Sequence, residues 1–385
     1  MASNLKEKID VRQRRILFLI HSLGGGGAER VTANLANHWA QTGWTVTIVT
    51  MAMQSGDVYE LNPRVRRIAL DLARDSNSLM EGLWTNMRRL AAVRRTLRQE
   101  KPDVALGIMS TASCLLALTG QVKGCVRIGT ERSYPPMLPL EYIWEKVRRK
   151  AYGNLDAVVA LTSEGATWIK ANTNAKAVSV IYNPVPVPLP TVNPVLPPEA
   201  VLDRTRKALL AVGSLTLPKA FDRLIHAFAK LAPEFPEWDL AIVGEGPLRP
   251  ALTALSQKLG LDRRLHLVGR AGNIADWYLA ADLFVLTSHF EGFPNVLAEA
   301  MAHGLSAVSV DCDTGPRDII SDGIDGLLVA QDNHDALVMA LRKMMGDDAL
   351  RDEMGICAAK IRDRLSVEKV AARWEELFIS AFGNL

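Results

Sequence analysis

The chain of 385 residues is poor in cysteine: Cys114, Cys125, Cys312 and Cys357 are scattered, with no C-x-x-C pair and no histidine cluster beside them. That spacing speaks against a zinc site and a disulfide framework, and it fits a reducing cytoplasm. Uninterrupted apolar runs of 18 residues are missing, so the chain does not read as membrane-spanning. The charged start, Met1 to Arg15, leads into only about six residues, Ile16 to His21, too short for the apolar core of a secretory signal. Charge of one sign is also lacking: 45 Lys and Arg against 42 Asp and Glu leave +3, which gives nucleic-acid binding no support. No G-x-x-x-x-G-K-[ST] phosphate loop occurs. What is present is the composition of a globular protein, 48% hydrophobic and 23% charged, at a length that suits two domains.

Short β-branched runs alternate with helix-length amphipathic segments. Candidate strands of the first half are 16–21, 44–50, 103–109, 126–130 and 157–162, and of the second half 208–214, 239–245, 265–269, 283–288, 306–311 and 326–330. Continuous apolar strands alternating with helices imply α/β architecture with parallel sheets covered on both faces. Between the two series, Asn183 to Pro198 holds seven prolines in sixteen residues, which predicts a stiff extended connector. The expected organisation is therefore a first domain over 1–185, a proline-rich linker over 186–200, a second domain over 201–365 and a terminal helix over 366–385 that packs on either domain. Both domains read as doubly wound and Rossmann-like, facing each other across a cleft, with chemistry in the strand-to-helix loops.

Three such loops carry the chemistry. Gly24, Gly25, Gly26 and Gly27 follow the first strand and open a helix, so free N–H groups and the positive helix end suit a phosphate; the alternative is a permissive turn. Their spacing is not the dinucleotide fingerprint, because Glu29 or Arg30 falls where the third glycine belongs. In the second loop, after 208–214, Lys219 stands just where a helix begins and can converge with it on one anion, against the alternative of an exposed surface lysine. The third runs from Ser288 to Gly304. Glu291 lies outside a short helix that starts near Asn295, and Glu299 lies one turn inside it. Amides near Phe293 to Val296 suit a diphosphate, and the two carboxylates suit sugar hydroxyls on either side.

The stretch Glu291 to Glu299 resembles the E-x7-E motif of retaining glycosyltransferases of family 4, which have the GT-B fold. Gly244 to Arg249, Ala281 to Val285, Thr314 to Ile320 and Asp325 to Val329 match its surroundings, and Gly26 to Val31 with Glu131-Arg132 match one subgroup. Members of that subgroup often transfer N-acetylgalactosamine or related hexoses from UDP during glycan assembly. The resemblance implies that Glu299 accepts hydrogen bonds from ribose hydroxyls and that Glu291 contacts the donor sugar. It implies that Lys219 and the segment Gly292, Phe293, Pro294, Asn295 and Val296 hold the diphosphate. Gly269, Arg270 and Asn273 would lie against the base, and Gly24 to Gly27 would close over the diphosphate and sugar.

Two positions depart from the pattern. Ser214 stands where the family usually has an arginine that clamps the diphosphate with the lysine, a loss of ~1–3 kcal/mol unless Arg270 or Arg30 replaces the charge. The histidine that relatives place after strand 103–109 is replaced by Met109-Ser110-Thr111-Ala112-Ser113, which leaves Glu131 and Arg132 as the candidate catalytic polar groups there. Asp311-Cys312-Asp313 fits the D-x-D metal pattern of a different transferase class; here it follows a late strand of the second domain and reads as a polar loop, with no metal and no cofactor expected.

The expected activity is transfer of a hexose or N-acetylhexosamine from a UDP-sugar to a glycan or lipid-linked acceptor. Epimerisation of a UDP-sugar on the same scaffold and a non-catalytic sugar-nucleotide-binding role are the alternatives. Leu83, Met87, Leu90, Val93 and Leu97 make a helical stripe amid Arg88, Arg89, Arg94, Arg95 and Arg98, and a second basic run spans Glu145 to Lys150. Helices over 83–98 and 140–151 thus read either as solvated faces or as surfaces for an anionic membrane, which would put the protein on the inner face of the plasma membrane.

Overall fold

The computed structural model describes residues 14–73 and 79–383, so the readings that fall on Met1 to Gln13 lie outside the described residues. Two units form: Met1–Pro184 with Val367–Leu385, and Val185–Ser366. In the first, β1 (Arg15–Ile20), β2 (Thr45–Thr50), β3 (Arg66–Ala69), β4 (Val104–Gly107), β5 (Val126–Glu131), β6 (Ala157–Ala160) and β7 (Val178–Val180) alternate with α1 (Gly27–Gln41), α2 (Leu79–Glu100), α3 (Ser110–Leu118), α4 (Tyr142–Ala151) and α5 (Ser163–Asn172). The second has β8 (Lys207–Val212), β9 (Trp238–Val243), β10 (Leu265–Gly269), β11 (Leu283–Leu286), β12 (Ala307–Asp311) and β13 (Leu327–Ala330). Its helices are α6 (Phe221–Leu231), α7 (Arg249–Lys258), α8 (Ile274–Ala280), α9 (Asn295–Ala302), α10 (Pro316–Ile319), α11 (His334–Gly346), α12 (Asp348–Ala358) and α13 (Ile361–Arg364). The terminal helix α14 (Val367–Phe382) belongs to the first unit.

The sheets run β3-β2-β1-β4-β5-β6-β7 and β10-β9-β8-β11-β12-β13, parallel throughout. This is the doubly wound strand order, in which the direction of winding reverses between β1 and β4 and between β8 and β11. Burial on both faces explains the strand composition. In β1, Ile16, Phe18 and Ile20 enter one apolar cluster, while Leu17 and Leu19 enter the cluster on the opposite face. Trp374 and Phe378 of α14 close the first of these against Trp39, whose indole N–H donates to Glu375 Oε1 at 2.9 Å.

The proline-rich segment, expected as a stiff extended connector between the domains, is more than a connector. From Val185 on it belongs to the second unit and is docked on it: Val192 N–H donates to the Gly272 carbonyl at 3.1 Å, and Gly272 N–H to the Pro194 carbonyl at 2.7 Å. Trp277 Nε1 adds a bond to the Leu196 carbonyl at 3.0 Å. Proline removes donors from a strand but leaves every carbonyl able to accept, and the second unit supplies the donors.

Candidate functional site

In the second unit the loops after β8 and β11, which flank the winding reversal, bring Lys219 and Glu291 together. Lys219 is carried past β8 by a tight turn in which Gly244 lies so near Gly213 that a Cβ on it would stand 1.8 Å from the Gly213 carbonyl oxygen. The next residue, Ala220, holds φ of 50°, a left-handed conformation that costs a non-glycine residue about 1–2 kcal/mol. Thr287 Oγ1 donates to the Lys219 carbonyl at 3.0 Å and His289 N–H to the Pro218 carbonyl at 2.7 Å, so the β11 loop fixes the backbone that presents the lysine.

Lys219 Nζ then donates to Glu291 Oε1 at 2.6 Å. Ser288 Oγ donates to the same oxygen at 2.6 Å, which leaves Oε2 of this nearly buried carboxylate without a hydrogen-bond partner among the described residues. Thr314 Oγ1 donates to the Glu291 carbonyl. Behind Thr314, Gly315 at φ of 99° packs so closely on Pro294 that a Cβ would meet Pro294 Cδ at 2.5 Å. The Glu291 turn is thereby held from β12 as well as from its own strand.

Glu299 is buried inside α9, where Tyr278 OH donates to its Oε2 at 3.2 Å. The His303 ring stacks 5.4 Å from Tyr278 and its Nδ1 lies 2.8 Å from the Glu299 carbonyl. Ser288, Thr287, Thr314 and Tyr278 are supports that sequence reasoning missed; only Ser288, three residues before Glu291, carried a local signal.

Several expected donor contacts are placed differently. The helix start offers fewer amides than the count from Phe293 to Val296, because Pro294 has no N–H and Asn295 N–H turns onto the Phe293 carbonyl at 2.9 Å. Gly292 keeps its place in the turn between Glu291 and α9. Asn273 does not offer its amide to a base: it is buried, accepts from Leu196 N–H at 2.8 Å, and donates to the Leu196 carbonyl at 3.0 Å and to Asp276 at 2.8 Å. Its role is to clamp the docked proline-rich segment. Gly269 ties β10 to the end of β9 by accepting Gly244 N–H at 2.8 Å, and Arg270 beyond it is exposed, as is Ser214.

Asp311 of the D-x-D stretch is held by Arg317 through two bonds of 3.0 Å, Cys312 is buried with its thiol pushed up to about 12 by burial, and Asp313 is exposed.

In the first unit, Gly24 to Gly26 fall between β1 and α1 and Gly27 opens α1, with Gly25 at φ of 108°. The Gly26 carbonyl accepts Tyr59 OH at 2.9 Å. Glu29 folds back over this turn, within 2.3 Å of where a Gly26 Cβ would stand, so the positive end of α1 already faces a carboxylate of its own first turn. An anion arriving there meets Glu29 first.

Glu131, at the end of β5, departs most from expectation. It is buried with both oxygens taken: Ser110 Oγ donates to Oε2 at 2.6 Å, Tyr152 OH donates to Oε1, and Arg148 Nη1 stands 3.5 Å from Oε1. Burial pushes its carboxyl above the usual range, against the opposing pull of Arg148, Ser110 and Tyr152. The carboxylate therefore serves the interior. Arg148 is correspondingly not part of a basic surface: it is buried between Glu131 and Glu145, over the Trp168 ring. Arg132, the next residue, faces a different environment from Glu131 and makes one bond, from Nη1 to Asn183 Oδ1 at 2.6 Å.

Residues 194–361 match the family model of glycosyl transferases group 1 and residues 25–187 that of glycosyltransferase family 4. The lipopolysaccharide 1,6-galactosyltransferase of Salmonella typhimurium is 31% identical over 260 residues, 66% of this chain and 68% of that enzyme. A Campylobacter jejuni α-1,4-N-acetyl-D-galactosaminyltransferase, named for a diphospho-undecaprenol-linked acceptor, is 27% identical over 369 residues, 94% of this chain and 98% of that one. An exopolysaccharide phosphotransferase of Streptomyces coelicolor is 35% identical over 227 residues, 58% of this chain, but the chain spans only 23% of its length. In fold, the Anabaena protein HepE, crystallised with UDP, superposes with a TM-score of 0.77 at 19% identity, covering 95% of this chain and 100% of that one. With its two parallel Rossmann-like units and a family match on each, the chain belongs to the family 4, group 1 glycosyltransferases of GT-B fold.

Proposed function

We propose that the chain transfers a hexose or N-acetylhexosamine from a UDP-sugar to a hydroxyl of a glycan or lipid-linked acceptor, with retention at the anomeric carbon and without a metal, in polysaccharide or lipopolysaccharide assembly. The observation that carries this reading is the triad Lys219, Glu291 and Glu299 at the winding reversal of the second unit. Lys219 supplies positive charge to a departing diphosphate, where charge develops in the transition state. The unpartnered Oε2 of Glu291 accepts a hydroxyl of the donor sugar while Oε1 stays fixed by Lys219 and Ser288. Glu299, braced by Tyr278, accepts ribose hydroxyls. The UDP in the HepE complex and the sugar and lipid acceptors in the names of the Salmonella and Campylobacter relatives support the donor and acceptor classes.

The test is a panel of UDP-glucose, UDP-galactose and their N-acetyl forms, incubated with a lipid-linked glycan acceptor in excess EDTA, with the product read by NMR. Acceptor-dependent UDP release and an α-linked product from an α-linked donor are expected. A β-linked product would refute retention, and loss of turnover in EDTA would refute metal independence. A new UDP-hexose formed without acceptor would show epimerisation instead.

The acceptor side is proposed to work at an anionic membrane surface. On α4, Tyr142 and Ile143 are 73% and 60% exposed beside exposed Lys146, Arg149 and Lys150, and on α2 Trp84 and Met87 are exposed beside Arg88, Arg94, Arg95 and Arg98. Val93 and Leu97 of that stripe are packed inward, whereas Met87 is not, and the Leu83 side chain lies outside the described residues. Among the described residues no helix is long and apolar enough to cross a membrane. Each cation near anionic headgroups contributes ~1 kcal/mol, so a Tyr142→Ser, Ile143→Ser, Lys146→Glu, Arg149→Glu variant is expected to lose most binding to phosphatidylglycerol vesicles in a sedimentation assay. Equal sedimentation of the variant and the wild type would refute it.

A further inference from the structure

The side chain of Arg132 presents a two-point donor edge that nothing in its own unit uses. Its Nη1 is anchored to Asn183 Oδ1, a buried amide just beyond β7, at 2.6 Å. Nε and Nη2, the pair on the opposite edge, are sealed from solvent and have no hydrogen-bond partner among the described residues. Among the described residues no carboxylate compensates the charge there; Glu131, its chain neighbour, is spent on Arg148, Ser110 and Tyr152. Burial alone pushes this guanidinium down to about 10, so it stays charged at neutral pH.

The same molecule shows what that edge does elsewhere. Arg67 grips Asp57 through Nε and Nη2 at 2.8 and 3.0 Å, Arg206 grips Asp239 at 2.8 and 2.8 Å, and Arg317 and Arg342 do likewise with Asp311 and Glu234. In each, two coplanar N–H groups meet two oxygens of one anion. Burying a cation without such a partner is costly, and a bound anion with two oxygens would remove that cost.

The position agrees. Arg132 follows the carboxyl end of β5, beside the end of β4, where Met109 N–H donates to Thr130 Oγ1 at 3.2 Å. Met109 is held at φ of 72° with its side chain exposed, and ligands of doubly wound sheets bind outside these strand ends.

We propose that Arg132 is an anion-binding residue of the first unit and that, once a local opening uncovers Nε and Nη2, it grips two oxygens of a substrate phosphate through them. The proposal deepens the transfer reading, which supplies a phosphate from either of two sources, the donor diphosphate or a phosphate on the acceptor.

The test uses the full chain, with inorganic phosphate, inorganic diphosphate and UDP as probes in calorimetric titration and thermal melts. Arg132→Gln is expected to melt at or above the wild-type temperature without ligand, because it removes an uncompensated buried charge. It is also expected to lose the phosphate-dependent rise in melting temperature that the wild type shows. Arg132→Lys keeps the charge but not the fork, and its phosphate affinity should fall about tenfold or more.

A parallel loss of UDP affinity in Arg132→Lys assigns the phosphate to the donor; unchanged UDP affinity assigns it to the acceptor. Lys219→Ala separates the two sites. A phosphate response that survives Arg132→Gln and disappears in Lys219→Ala overturns the proposal while leaving the transfer reading intact. Absence of any phosphate response in the wild type overturns it too, as does an Arg132→Gln chain that is less stable yet responds to phosphate unchanged. The transfer reading fails separately, through a wild type that binds no UDP.

Discussion

Lys219→Ala is expected to lower acceptor-dependent UDP release by roughly 10²–10³-fold, the usual effect of removing one group aimed at developing charge. The magnitude follows from placement. Lys219 is three-quarters buried, held by the β8 turn, by Thr287 on its carbonyl and by the strained Ala220, so its ammonium needs little reorganisation when charge moves onto the diphosphate. Glu291→Ala should lose a comparable factor for a different reason. It removes the acceptor for a donor-sugar hydroxyl and also frees Lys219 from its 2.6 Å anchor. Because the two side chains act as one unit, the double variant should fall little below the worse single one. Steady-state rates with a coupled UDP assay, alongside melts showing that each variant is folded, check this. Turnover near wild type in both single variants would remove these residues from the mechanism.

The strands that carry this site were legible because they are buried on both faces and so read as continuous apolar runs; all eleven were found at their places with ends shifted by a few residues. The two that were not, β3 (Arg-Arg-Ile-Ala) and β7 (Val-Ser-Val), are short edge strands with exposed or half-exposed side chains, and nothing in their composition separates them from loops. The E-x7-E spacing located Glu291 in the turn before a short helix and Glu299 inside that helix. The sequence was silent on what fixes the carboxylates. Thr314 reaches the Glu291 main-chain carbonyl from the loop after β12 and Tyr278 reaches the Glu299 carboxylate from α8, contacts set only by the winding of the sheet. Asn273 was misread for the same reason. The family resemblance implied a place against the base, and only the docked proline segment reveals that its amide is already paired on both sides.

Glu131→Ala is expected to destabilise the first unit by ~3–5 kcal/mol, a drop of roughly 6–20 °C in its melting temperature. Arg148 is 1% exposed, and its partners are Glu131 at 3.5 Å and Glu145 at 2.5 Å. Removing Glu131 leaves a buried cation with half its compensation, and the hydroxyls of Tyr152 and Ser110 lose their acceptor in the same interior. Glu131→Gln keeps an acceptor for one of these donors but not the charge, so it should fall between the wild type and the alanine variant. Removing both charges, in Glu131→Leu with Arg148→Met, should recover much of the loss, because the cost of the single variant is the stranded charge rather than the absence of the pair. A catalytic Glu131 predicts the reverse pattern: a collapse of kcat at an unchanged melting temperature, with no recovery on removing Arg148. Thermal melts and kcat measured on the same four proteins decide between an interior carboxylate and a reacting one, and the two bound oxygens already favour the interior.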